Sequence, residues 1–132
     1  MDTKELGNLG ERIACDYLVE NGYKILAKNY RIKFGEIDII AKKRFNLLSI
    51  IRYIKRFLPF INSIELINGR TIHFIEVKTV VGGGENFFPE EKVNYKKRKK
   101  LIGLCQIWLE KNKFPQNYPY QINVIGVLLD QS

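Results

Sequence analysis

The sequence predicts an α/β domain in which a mixed β-sheet is flanked by helices. Three observations carry this. Apolar residues recur at helical spacing near the start of the chain and again toward its end. The segments between and after them are rich in β-branched and aromatic residues and bounded by turn formers. Taken in order they read helix, strand, strand, a hairpin into a further strand, helix, strand. The length of 132 residues fits one domain that buries a core without staples.

The first helix spans residues 3–21. Leu6, Leu9, Ile13, Tyr17 and Leu18 form its apolar stripe, and Asn21-Gly22 ends it. Glu11 lies about 120° from the stripe centre at 100° per residue. It is either plain surface or a rim group able to reach over a sheet edge. Residues 23–30 read as a strand. Residues 35–41, Gly-Glu-Ile-Asp-Ile-Ile-Ala, read as a second, with Glu36 and Asp38 on one face and Ile37 and Ile39 on the other.

Residues 45–61 form a helix with a wide apolar face. Its narrow polar stripe is Asn46, Ser49, Arg52 and Lys55 or Arg56, and Pro59 ends or bends it. Asn68-Gly69 marks a tight hairpin turn joining a short strand at residues 64–67 to the next strand. That strand, residues 71–80, is the centre of the chain and stops at Gly82-Gly83-Gly84. Glu76 and Lys78 leave the face that also carries Ile72, Phe74 and Val80. An ionisable pair on an apolar face is either an internal ion pair or part of a site. Residues 90–111 form the last helix, with an apolar row of Leu101, Leu104, Cys105 and Trp108. Projected backwards, the row passes through Lys97, whereas Lys96, Lys99 and Lys100 fall on the solvent side. Residues 120–129 form the final strand.

The net charge is +8. The excess lies in two runs: Lys42, Lys43, Arg44, Arg52, Lys55 and Arg56, and Lys92, Lys96, Lys97, Arg98, Lys99 and Lys100. Clustered basic charge favours polyanions, either nucleic acid or an anionic membrane surface; otherwise it is a solvated face. Cys15 and Cys105, far apart in sequence, read as buried free thiols of a cytoplasmic protein. The polar N-terminus is not a secretory signal, and no apolar run is long enough to span a bilayer.

The hairpin places the Asp38 strand beside the Glu76 strand, so Asp38, Glu76 and Lys78 converge at one end of adjacent strands. Two hard oxygen ligands suit Mg²⁺, with the Val77 carbonyl as a further ligand. Such an ion acidifies water and neutralises charge on a phosphate. Lys78 then orients the water or stabilises the pentavalent phosphate. These are the parts of a phosphodiester hydrolase.

The stretches Asn29-Tyr30-Arg31-Ile32-Lys33-Phe34-Gly35-Glu36-Ile37-Asp38-Ile39-Ile40-Ala41 and Phe74-Ile75-Glu76-Val77-Lys78-Thr79 resemble the YraN-like family of small bacterial proteins. That family is similar to the core of restriction endonucleases and archaeal Holliday-junction resolvases, with their PD-(D/E)xK signature. The resemblance runs from Gly10-Glu11 to the last strand. It implies an αβββαβ restriction endonuclease-like core in a single domain. It also implies metal carboxylates at Asp38 and Glu76 for Mg²⁺ or Mn²⁺, and the signature lysine at Lys78. Glu11 and Lys97 complete the implied catalytic set. This chain departs from the family pattern twice. A helical insertion, residues 44–63, replaces a short turn, and Gln121-Ile122-Asn123 stands where the family commonly has Arg-Phe-Asp.

Three functions follow as expectations. The first is a metal-dependent endonuclease acting on branched or otherwise non-standard DNA, with Lys96, Arg98, Lys99 and Lys100 on phosphates. The second is a non-catalytic DNA-binding protein retaining the fold. The third is a membrane-surface or scaffolding protein acting through the insertion. The apolar face of residues 45–61 is too large to stay uncovered, and a homodimer through Ile50, Ile51, Ile54, Phe57 and Leu58 covers it most simply.

Overall fold

The computed structural model describes residues 1–44, 70–82 and 94–130. Helix α1 (Thr3–Glu20) leads into strands β1 (Tyr23–Ile32) and β2 (Gly35–Lys43). Strand β3 (Ile72–Val81), helix α2 (Tyr95–Lys111) and strand β4 (Tyr120–Leu129) follow. The expected insertion helix, the Asn68-Gly69 turn and the short strand before it fall outside the described residues, as does the proposed dimer face.

The strands form one mixed sheet in the order β1-β2-β3-β4. The first two junctions are antiparallel, and β3 and β4 are parallel. A parallel pair needs a crossover, and α2 lies in it. Among the described residues this is the α/β architecture read from the sequence, and it is consistent with a restriction endonuclease-like core.

Each helix covers one face of the sheet. On one side Ile37, Ile40, Ile72 and Phe74 pack under Leu101, Leu104, Cys105 and Trp108 of α2. Phe74 meets the Trp108 ring edge to face at 5.6 Å. On the other side Ile39, Ala41, Ile75 and Val127 pack under Ala14, Cys15 and Leu18 of α1. The two cysteines are free and buried, one in each layer. Burial pushes the Cys105 thiol up to about 12 and raises Cys15 as well, so neither is a ready nucleophile.

Three features differ from the sequence reading. The contact row of α1 is Gly10, Ala14, Cys15 and Leu18, whereas Ile13 and Tyr17 are exposed. The helix approaches the sheet so closely at Gly10 that a Cβ there would lie 1.7 Å from Thr79 Oγ1. Small residues therefore mark the contact, and an apolar count misses them. Helix α2 begins at Tyr95, because Asn94 is an extended N-cap whose side chain accepts the Lys97 N–H at 3.0 Å. The basic run thus opens the helix.

The third difference is in β2. Ile37 packs beneath α2 and Ile39 beneath α1, so they do not share a face. Alternation slips at Asp38, which has no partner in the β1–β2 ladder. Asn29, the residue opposite, has φ 50°, a left-handed conformation that asparagine tolerates and that breaks a ladder.

The Gly10 contact makes a prediction. Gly10→Ala should destabilise the protein by about 1–3 kcal/mol through overpacking. Thr79→Ala in the same chain should recover part of the loss, because it removes the nearest atom. Thermal unfolding of wild type and the two variants checks this, and an unchanged Tm in Gly10→Ala would show that α1 sits elsewhere.

Candidate active site

Pairing between β2 and β3 runs from Lys42↔Ile72 to Ile39↔Ile75 and goes no further. Beyond that point the Val77 N–H donates to Asp38 Oδ2 at 2.7 Å. A side chain thereby takes the place of the next ladder acceptor, which satisfies a backbone donor that would otherwise be open. It also holds the Asp38 carboxylate between the parting strands. The sequence offered the Val77 carbonyl as a further metal ligand; the amide of the same residue has a separate role, holding Asp38.

Glu76 lies one residue before Val77, on the face covered by α2, and is 8% exposed. Its Oε1 accepts from Lys78 Nζ at 2.7 Å and from Lys97 Nζ at 2.5 Å. Lys78 reaches it along its own strand face, and Lys97 reaches it from the first turn of α2. Glu11, half-buried beside Gly10, belongs to α1 on the other side of the sheet, and its charge is felt at Asp38. Of the five residues expected to form the site, Asp38 sits at the parted end of β2 and β3, Lys78 and Lys97 meet Glu76 beside it, and Glu11 lies near enough for its charge to act on Asp38. Lys96, Arg98, Lys99 and Lys100 are exposed on α2. Glu36, placed with Asp38 on one strand face by the sequence reading, instead pairs with Arg31 across the β1–β2 hairpin at 2.9 Å.

The electrostatics differ between the two carboxylates. Burial drives the Asp38 carboxyl up to about 6. The Val77 hydrogen bond and Lys78 oppose this, while the charges of Glu76 and Glu11 add to it. Burial also pushes Glu76 upward, but its hydrogen bonds and charge interactions with Lys78 and Lys97 outweigh that and hold it below the usual range. Burial works against the Lys78 ammonium, yet Glu76 and Asp38 keep its pKa above the ordinary value. Asp38 is therefore the carboxylate short of positive charge, and Glu76 is the saturated one.

Whether these residues fit a divalent ion is a question of donors. Asp38 Oδ1 and Glu76 Oε2 accept no hydrogen bond among the described residues and are hard oxygen donors. The surplus of negative charge at Asp38 suits a cation. No group of three or more His, Cys, Asp or Glu residues clusters tightly enough for a metal among the described residues. Among the described residues Asp38 and Glu76 make a hard-oxygen donor pair, which suits Mg²⁺ or Mn²⁺ keeping several waters.

One polar contact lay beyond sequence reasoning. Asn123, where the family pattern has an acid, pairs through Oδ1 with His73 Nδ1 at 2.9 Å. The contact spans two strands distant in sequence, so no local signal announces it.

The family described as "Uncharacterised protein family UPF0102" matches residues 10–127, a span that holds all five site residues. A UPF0102 protein of Clostridioides difficile (strain 630) is 38% identical over 130 residues, covering 98% of this chain and 90% of its own length. One from Thermodesulfovibrio yellowstonii is 38% identical over 124 residues, covering 93% and 85%. One from Caldanaerobacter subterraneus subsp. tengcongensis is 31% identical over 131 residues, covering 98% and 84%.

The raised Asp38 pKa has a consequence for stability. Its folded value of about 6 exceeds the ordinary 3.8, so the folded state keeps a proton that the unfolded chain releases. Stability is therefore lost as the pH rises through that window and stays lost above it. In chelated buffer near neutral pH, Asp38→Asn should be more stable than wild type by about 1 kcal/mol after solvent screening. The gap should close near about pH 4, where wild type is protonated. Thermal unfolding against pH checks it; a variant less stable at neutral pH would show that the charge itself is stabilising.

Proposed function

This chain belongs to the UPF0102 family, the YraN-like family, and from that membership and the site's geometry we propose that it is a metal-dependent DNA endonuclease. The observation that carries the reading is the meeting of Asp38, fixed by the Val77 amide, with Glu76 and two lysines at the parted ends of β2 and β3. Asp38 and Glu76 are the residues that would hold Mg²⁺ or Mn²⁺. A bound ion would supply charge neutralisation at the phosphate and acidity to the attacking water.

The protein's own groups divide the remaining work. Lys78 stands where it can orient a nucleophilic water or donate to the phosphate as charge builds there. The exposed Lys96, Arg98, Lys99 and Lys100 lie on the helix that delivers Lys97, so a phosphate backbone bound along α2 passes the site. The preference for branched or non-standard DNA rests on the resemblance to resolvases. A homodimer that cuts paired strands remains part of the proposal.

A non-catalytic DNA-binding role is the competing reading. The observation in its favour is that two lysines already neutralise Glu76 and that no three-ligand cluster exists among the described residues.

The test is cleavage of branched DNA in Mg²⁺ or Mn²⁺ by purified protein. Asp38→Asn and Glu76→Gln should abolish cleavage and leave DNA binding intact or improved. Lys78→Ala should slow it by about a hundredfold or more. Neutralising Lys99 and Lys100 together should flatten the salt dependence of binding. Salt-dependent binding by wild type without cleavage would support the competing reading; equal cleavage by Asp38→Asn would mark a contaminant.

A further inference from the structure

Glu76 spends one oxygen on two ammonium groups, and the two are not equivalent. Lys78 is 27% exposed and lies on the same strand as Glu76. Lys97 is 38% exposed and reaches across from α2. Its backbone is pinned by the Asn94 cap, so the side chain alone is free to swing. Around it on the helix stand the exposed Lys96, Arg98, Lys99 and Lys100.

Formal charge decides what this arrangement admits. With both lysines in place, the charges of Asp38, Glu76, Lys78 and Lys97 cancel, and only Glu11 leaves the site negative. A dication entering there meets two ammonium groups already on Glu76, one of its two ligands. If Lys97 swings out, the site gains a negative charge and Glu76 is half released. A phosphate lying along the basic helix draws Lys97 away, because it offers a competing anion in reach of a half-exposed side chain.

We infer that Lys97 is a stand-in for the divalent ion, occupying Glu76 in the free protein and leaving it for a DNA phosphate, so that DNA binding opens the metal site. This inference rests on the nuclease reading and adds an order of assembly to it. Coupling of this kind is reciprocal: the ion must raise DNA affinity by the factor by which DNA raises ion affinity. Lys97 is in this account a positioning residue acting through Glu76. The arrangement also guards against indiscriminate hydrolysis, since the free protein disfavours the loaded state.

The experiment measures Mn²⁺ affinity of the full chain by calorimetry or by Mn²⁺ electron paramagnetic resonance, with and without phosphorothioate-substituted branched DNA. Wild type should bind Mn²⁺ more tightly when DNA is present. Lys97→Met should bind Mn²⁺ about tenfold more tightly than wild type without DNA, because one neighbouring positive charge is gone. The enhancement by DNA should shrink in that variant without vanishing, since the phosphate itself still ligates the ion. Lys97→Arg should behave like wild type, and Lys111→Met, at the far end of α2, should leave affinity unchanged. Mn²⁺ affinity equal to or weaker than wild type in Lys97→Met overturns the inference, provided that Asp38→Asn abolishes binding. If Asp38→Asn binds Mn²⁺ as wild type does, or wild type binds none even with DNA, the metal site itself is refuted and this inference falls with it.

Discussion

The structure turns on one hydrogen bond, from the Val77 amide to the Asp38 carboxylate. Strands β2 and β3 pair as far as Ile39↔Ile75 and then separate. At the separation a backbone donor faces a gap. A serine or asparagine there could satisfy it without charge. The chain instead supplies a carboxylate, and satisfying the amide fixes that carboxylate between the strands. Burial and two neighbouring acids then raise its pKa. The donor that needs a partner thus determines where this cation-seeking carboxylate sits.

The two helices are placed to serve that position. Helix α1 is drawn onto the sheet at Gly10, against Thr79, and the charge of Glu11 beside it acts on Asp38. Helix α2 begins at the Asn94 cap, which fixes its first turn so that Lys97 meets Glu76. One helix therefore brings negative charge and the other positive charge to a point reached from both faces of the sheet. The large apolar contacts, such as Phe74 on Trp108, lie further along the same elements and hold this geometry without entering it.

Much of this was legible in the sequence. Alternation along residues 71–80 placed Glu76 and Lys78 together on the face they occupy. The helical row through Leu101, Leu104 and Trp108 picked out Lys97 as the lysine turned inward. What failed did so for physical reasons. Strict period-two alternation put Ile37 and Ile39 on one face, yet the left-handed Asn29 breaks the ladder opposite Asp38 and shifts the phase. The apolar stripe of α1 included Ile13 and Tyr17, which stay exposed, because close helix–sheet contact selects small residues such as Gly10 and Ala14. The role of the Val77 amide was also hidden, since it depends on where two strands stop pairing, which no local pattern encodes.

The central claim is that Asp38 and Glu76 share one divalent ion, and a crystal of the complex with phosphorothioate-substituted branched DNA, soaked in Mn²⁺, tests it most directly. The predicted result is an anomalous peak ligated by both carboxylates, with Lys97 Nζ withdrawn from Glu76. A peak at some other site, or none at saturating Mn²⁺ with both lysines still on Glu76, would contradict it.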